Sequence, residues 1–246
     1  MNHARAKGKD RASAHSRSRF GGRFQAVLLD CMGTLVKLSP PAPRLRAELR
    51  RRAGLEVSET DARAAFRAEI RYYVGNHLDG RDEASLDALR DRCADVLRDS
   101  LGLDERTRPV VRAAMLASLE FRTYADAAPA LAQLRARGLR LVAASNWDCS
   151  LPRVLEEAGL RDLLDDVVSS AAVGAAKPDP RLFHAALAAA RCPPERAVAV
   201  GDSLDHDVGG ARAAGVAAVL VRRSPGAPAT PGVTAIEALD ELPAVI

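Results

Sequence analysis

From residue 123 onward, short apolar runs alternate with helical stretches, and that alternation restricts the chain to a parallel α/β sheet. The pattern predicts a helix over 126–137 stopped by Gly138, then a strand over 139–144 ending at Ser145-Asn146. A helix over 151–157, a short strand over 167–170 and a helix over 180–190 follow. The run 197–200 is a strand ending at Gly201-Asp202, and a helix over 206–214 leads into a strand over 216–221. One further strand precedes them all: the apolar run 24–29 ends at Asp30 and turns at Gly33-Thr34.

Between that first strand and the rest lies a long stretch with no strand pattern. It begins at the break Ser39-Pro40-Pro41-Ala42-Pro43. A helix over 44–53 is stopped by Gly54, and Ser58 with Asp61 forms an acidic variant of a capping box that opens a helix ending at Gly75-Asn76. Leu86, Leu89, Cys93, Val96 and Leu97 keep helical spacing, and Thr107 can cap a fourth helix carrying Val111, Ala114, Met115 and Leu119. The expected organisation is an α/β core of 23–38 and 123–246 around a Rossmann-like parallel sheet, with 39–122 inserted as an α-helical cap. Ser224–Gly232 is rich in Pro and Gly and reads as a surface loop.

A chain of 246 residues is long enough for such a core and its insert. Its net charge of +4 is unevenly spread. Residues 1–23 hold seven basic side chains against Asp10 alone, leaving 29 basic and 31 acidic residues in the rest. Residues 1–22 are therefore expected to be a disordered basic tail, and no nucleic-acid partner is expected. No apolar run approaches the roughly 20 residues that span a membrane, and the tail has no apolar signal segment. Cys31, Cys93, Cys149 and Cys192 are widely separated, which speaks against zinc or a disulfide framework and fits a reducing, cytoplasmic compartment.

In a parallel sheet, ligands bind beyond the carboxyl ends of the strands. Three strand ends here carry polar groups: Asp30; Ser145-Asn146; and Asp202 with Asp205 and Asp207. A fourth polar element, Lys177-Pro178-Asp179-Pro180, precedes a helix. An ionised, aimed Asp30 can be a nucleophile, with Lys177 supplying positive charge. Asp30, Asp202 and Asp207 offer hard oxygen ligands suited to Mg²⁺, and Ser145 and Asn146 can donate hydrogen bonds to transferring oxygens. Together these make a phosphoryl-transfer site.

These four elements, in this order, resemble the motifs of the haloacid dehalogenase superfamily. They are Leu28-Leu29-Asp30-Cys31-Met32-Gly33-Thr34-Leu35, Val142-Ala143-Ala144-Ser145-Asn146, Lys177-Pro178-Asp179-Pro180, and Gly201-Asp202-Ser203-Leu204-Asp205-His206-Asp207 running on to Gly215. The helical insert between the first two also matches, and the resemblance covers about residues 24–246. It implies a hydrolase acting on a small phosphorylated molecule. Asp30 would form a covalent intermediate, and Ser145 and Lys177 would hold the phosphoryl oxygens. Asp30, the Met32 carbonyl and Asp202 would bind Mg²⁺ with support from Asp207, and the cap would select the substrate.

One position departs from the pattern. Phosphatases of the superfamily usually carry a second Asp two residues after the nucleophile, as general acid and base, and here that residue is Met32. Dehalogenases of the superfamily also lack an acid there, because halide leaves without a proton, but they bind no Mg²⁺ and usually lack the Gly-Asp pair kept here as Gly201-Asp202. Three readings stay open: a Mg²⁺-dependent phosphomonoesterase, a metal-independent 2-haloacid dehalogenase, and a relative that binds ligand without turnover. His206, Glu69 and His77 are reserve proton donors, though each also reads as an ordinary helix residue. His184 and Cys31 read as structural. Trp147 either shapes the pocket or anchors the following helix.

Overall fold

Four consecutive buried residues form β1 (Ala26–Leu29), the strand around which the sheet is built. The computed structural model describes residues 24–223 and 230–246; the basic tail and most of the Pro- and Gly-rich segment lie outside the described residues. The remaining strands are β2 (Val36–Leu38), β3 (Phe121–Thr123), β4 (Arg140–Ser145), β5 (Asp166–Ser169), β6 (Ala197–Gly201), β7 (Ala217–Val221) and β8 (Thr234–Ile236). Six of them make one sheet in the order β5-β4-β1-β6-β7-β8, with every pairing parallel. This is the expected Rossmann-like α/β core.

β2 and β3 pair antiparallel with each other, Val36 opposite Thr123 and Leu38 opposite Phe121. They form the two-stranded neck through which the chain leaves the core and returns to it. Between them run α1 (Pro41–Ala53), α2 (Glu59–Asn76), α3 (Glu83–Ser100) and α4 (Arg108–Ser118). Pro41 stands at the start of α1, where its missing N–H costs nothing, and Gly54 closes it at φ 65°. The Ser58 hydroxyl accepts the Asp61 N–H at 3.1 Å and opens α2. The helical insert buries a core of its own, with Leu45, Leu49, Phe66, Leu89, Leu97 and Met115 at its centre.

Residues of β1 alternate between two layers, as side chains on a strand must. Val27 and Leu29 face the layer shared with α5 (Ala127–Ala136) and α6 (Leu151–Glu157). Ala26 and Leu28 face the opposite layer, built with residues of α8 (Pro180–Ala190), which follows the short α7 (Ser170–Val173). The central strands carry small and branched aliphatic residues, Ala-Val-Leu-Leu in β1 and Ala-Val-Ala-Val-Gly in β6.

Register positions the site. Leu29 pairs with Ala143 on one side and Val200 on the other. Asp30, Ser145 and Asp202 therefore emerge together at the carboxyl edge, where β1 sits between β4 and β6.

Some boundaries differ from expectation. α2 continues through Gly75, and the Asn76 amide donates to the Tyr72 carbonyl at 2.7 Å within its last turn. The expected helix over 206–214 opens instead as a wide turn over Leu204–Gly209, in which Val208 N–H bonds to Ser203 O, before α9 (Gly210–Ala213) begins. Such wide turns recur at functional sites. Here the turn brings the Asp207 carboxylate back onto the Ser203 N–H at 2.9 Å.

Candidate active site

Asp30 follows β1 with its N–H bonded to Val200 O at 2.8 Å, so β6 fixes where its side chain starts. The chain then turns sharply, the N–H groups of Thr34, Leu35 and Val36 all converging on Cys31 O. Gly33 in this turn has φ 80°, and a Cβ there would lie 2.0 Å from Asp202 Oδ2. Only glycine permits both the backbone conformation and the approach of Asp202. Gly201 is required for a similar reason, since its Cβ would meet Asp207 Cγ at 2.1 Å. The glycines beside the acids are thus what let two loops close on one point.

At that point the structure joins Asp30, Ser145, Lys177 and Asp207. Asp30 Oδ1 accepts from Ser145 Oγ at 3.0 Å and from Lys177 Nζ at 2.9 Å. Lys177 Nζ also donates to Asp207 Oδ1 at 2.7 Å. Asp202 stands alongside: one oxygen each of Asp30, Asp202 and Asp207 lies within 4.8 Å of the others. Asn146 serves the lysine rather than the carboxylates. Its Oδ1 accepts the Lys177 N–H at 2.7 Å, and its Nδ2 donates to Lys177 O at 3.0 Å.

The electrostatics are lopsided. Burial pushes the Asp30 carboxyl up to about 6, against the pull of the Lys177 ammonium and with a further push from Asp207. Burial also works against the Lys177 charge, yet Asp30 and Asp207 together hold its ammonium above the ordinary lysine value. Asp202 is pushed up as well, by lost hydration first and then by the Asp207 charge. Two carboxylates thus share one hydrogen-bonded ammonium, with a third, Asp202, close by. An added divalent cation would relieve that imbalance, and a set of carboxylate oxygens around an open point suits a hard ion such as Mg²⁺.

The other candidates fall into place around this cluster. Asp205, His206 and His184 are exposed. Cys31 is fully buried, and burial with the adjacent Asp30 charge pushes its thiol up, which keeps it inert. His77 is buried in the cap, where its Nδ1–H donates to Val74 O at 2.8 Å. Trp147 is buried edge-on against Phe121, with ring centroids 5.0 Å apart. Glu69 is buried in the cap and lines a cavity of about 510 Å³, which Met32, Asn146 and Trp147 also line.

Two contacts between the helical insert and the core were not anticipated. Tyr73 Oη donates to Asp148 Oδ2 at 2.9 Å, and Cys149 N–H donates to Gly80 O at 2.8 Å. Asp148 is itself held by the Ser150 N–H at 2.7 Å. Tyr73 gives no signal in sequence beyond a helix position, and its partner lies 75 residues away.

Comparison with known proteins fixes the family. The profile of haloacid dehalogenase-like hydrolases matches residues 24–215. The chain belongs to the haloacid dehalogenase-like hydrolase family. It is 34% identical over 224 residues to a phosphoserine phosphatase of Thermus thermophilus, covering 81% of this chain and 89% of that one. Its structure is similar to that of a phosphatase of the family from Thermococcus onnurineus, with TM-score 0.59, 26% identity, and coverage of 89% and 96% of the two chains. It is also similar to L-2-haloacid dehalogenase from Xanthobacter autotrophicus, with TM-score 0.64, 25% identity, and coverage of 89% and 97%. As a haloacid dehalogenase-like hydrolase, the chain is an enzyme, and no helix among its described residues is long and apolar enough to cross a membrane.

Proposed function

We propose that this hydrolase cleaves phosphate monoesters with Mg²⁺, through an aspartyl phosphate on Asp30. The observation that carries the reading is the cluster in which Asp30, Asp202 and Asp207 crowd around the one ammonium of Lys177. A carbon–halogen substrate calls for no such concentration of acids, whereas a phosphoryl group brings its own negative charge and needs a cation between itself and the carboxylates.

Asp30 Oδ1 holds two hydrogen bonds, so Oδ2 is the oxygen left to attack phosphorus. The P–O bond to the alcohol breaks as the acyl phosphate forms, and the departing alkoxide takes a proton from solvent; water then attacks that phosphorus and gives up a proton to solvent as the P–O bond to Asp30 breaks, releasing phosphate and restoring the carboxylate. Ser145 and Lys177 hold and neutralise the transferring oxygens. Asp207, anchored by the Ser203 N–H, keeps Lys177 charged and aimed, and Asn146 fixes its backbone. Mg²⁺ would be held by Asp30, the Met32 carbonyl and Asp202 with Asp207 behind them, and would neutralise phosphoryl charge. Residues 39–122 act as the cap over a core of 23–38 and 123–246. The free cysteines fit the cytoplasm as the compartment.

The test is a panel of phosphomonoesters and 2-haloacids assayed with Mg²⁺ and with chelator. Phosphate release that chelator abolishes is expected. Halide release undiminished by chelator would replace this reading with the dehalogenase one.

A further inference from the structure

Met32 stands two residues beyond Asp30, and its side chain is part of the wall of the 510 Å³ cavity between cap and core. The residues of the charged cluster do not line the cavity, but Met32 and Asn146, close in sequence to Asp30 and Ser145, do. From there it runs between α2, α3, α4 and the loop after β4, and its wall is mostly hydrocarbon: Leu86, Leu89, Met115, Phe121 and Trp147 contribute. Its size falls within the range of roughly 300–1,000 Å³ that encloses small organic ligands.

A second observation points to the same place. Four large hydrophobic side chains are exposed among the described residues: Met32, Ile70, Val74 and Leu204. Three of these four, Met32, Ile70 and Val74, line this cavity. Exposed apolar side chains gathered at one concave site mark a surface that binds an apolar partner. Five charged residues also line the wall, among them the half-buried Arg90. Arg153 and Glu157 are exposed and face each other at 4.0 Å. Asp148 is occupied by Tyr73 and by the Ser150 N–H. Glu69 is buried, and its carboxyl is pushed up to about 7 by that burial.

We infer that the substrate is a phosphomonoester of a bulky apolar alcohol, aryl or alkyl, whose hydrocarbon part lies in this cavity with Met32 against the carbons next to the ester oxygen. The inference rests on the phosphatase reading above and deepens it by naming the leaving group. It also gives Met32 a positive role. A polarizable thioether fills an irregular apolar wall where a carboxylate would have to be desolvated.

The experiment uses the full chain with Mg²⁺ and two series from ethyl to octyl. One is n-alkyl phosphonates, whose binding is read by calorimetry; the other is n-alkyl phosphates, read by kcat/KM. The longer straight-chain alcohols differ little in acidity, so chain length varies burial while the chemistry stays constant. Each methylene moved from water into an apolar wall is worth up to about fourfold in affinity, so a rise of about threefold per carbon is expected in both series until the cavity is full. Phosphoserine and glycerol 3-phosphate should fall well below octyl phosphate. Ile70→Asp, a change at a side chain already exposed, should flatten both slopes. Acetyl phosphate, which has no hydrocarbon tail, is the control. If it is hydrolysed while both series are flat or phosphoserine is preferred, the apolar substrate is wrong and the phosphatase reading stands. If no ester releases phosphate, both fail.

Discussion

Replacing Glu69 by Gln should change how stability depends on pH, by an amount set by the burial of one carboxyl. Glu69 is 4% exposed, on the cavity side of α2. Its carboxyl is pushed from the usual 4.5 up to about 7, by burial first, with Cys93 donating a hydrogen bond that only partly offsets it. In the unfolded chain the proton is released near 4.5; in the folded protein it is kept until about 7. Because the folded state binds more protons between those values, Glu69 contributes stability that is full below about 4.5, is lost as pH rises through 7, and changes no further above. A tenfold difference in proton affinity is about 1.4 kcal/mol, so the loss across the window is about 3 kcal/mol. Gln keeps the shape and has no proton to lose. Urea unfolding of both proteins at intervals from pH 4.5 to 8 should therefore show the variant gaining about 3 kcal/mol relative to wild type by pH 7.5, on top of a constant offset for the altered Cys93 contact. Two parallel stability curves would refute the reasoning, since they would mean that Glu69 is hydrated and ionises normally.

Asp30→Asn should remove phosphate release by on the order of 10⁴-fold or more while leaving the circular dichroism spectrum and unfolding midpoint near those of wild type. Lys177→Met leaves Asp30 and Asp207 facing each other without their shared ammonium, so it should cost about 3–5 kcal/mol in urea unfolding. Gly33→Ala forces a Cβ into Asp202 and strains a residue at φ 80°, so Mg²⁺ binding measured by calorimetry should weaken by at least about tenfold and stability should fall by about 1 kcal/mol or more. Met32→Asp should raise turnover of alkyl phosphates relative to aryl phosphates, by up to about 10²-fold where proton transfer limits, and should weaken alkyl phosphonate binding; an unchanged aryl-to-alkyl ratio would show that the leaving-group proton already has a source.

How far the fold could be read before the structure depended on where each element's partners lie. β1, β4 and β6 were legible because strands covered on both faces need uninterrupted apolar runs, such as Ala26–Leu29. The cap helices were legible because each keeps a local apolar stripe and its own stop or start, as at Gly54 and Ser58. β2, β3 and β8 were not, being three residues each; Val36 and Thr123 pair across the whole insert, with nothing local to announce it. In the site, the meeting of Asp30 and Ser145 followed from strand ends in a parallel sheet, whereas Lys177 comes from the loop before α8. The wide turn that re-aims Asp207 did not, because it depends on contacts between residues such as Gly201 and Asp207 that no local pattern announces.

Met32 shows why one position can stay ambiguous in sequence and become informative in space. Beside Asp30 in the chain it reads only as a missing acid, and a missing acid fits a dehalogenase, an inert relative or a slow phosphatase alike. The side chains that share its cavity come from segments it does not adjoin: Ile70 and Val74 on α2, Met115 on α4 and Trp147 after β4. Those side chains are apolar, so once a hydrocarbon group covers the exposed Met32 position, a carboxylate there would be opposed in its ionisation. In the two-step hydrolysis proposed above, an acid placed there would hold its proton more tightly, which would aid departure of an alkoxide but hinder activation of water in the second step. The two half-reactions thus pull the residue in opposite directions, and the apolar wall favours a side chain that takes part in neither. Catalysis at this site then leans on the charged cluster and on how well the leaving group fills the cavity, which makes alkyl chain length and leaving-group acidity separable variables.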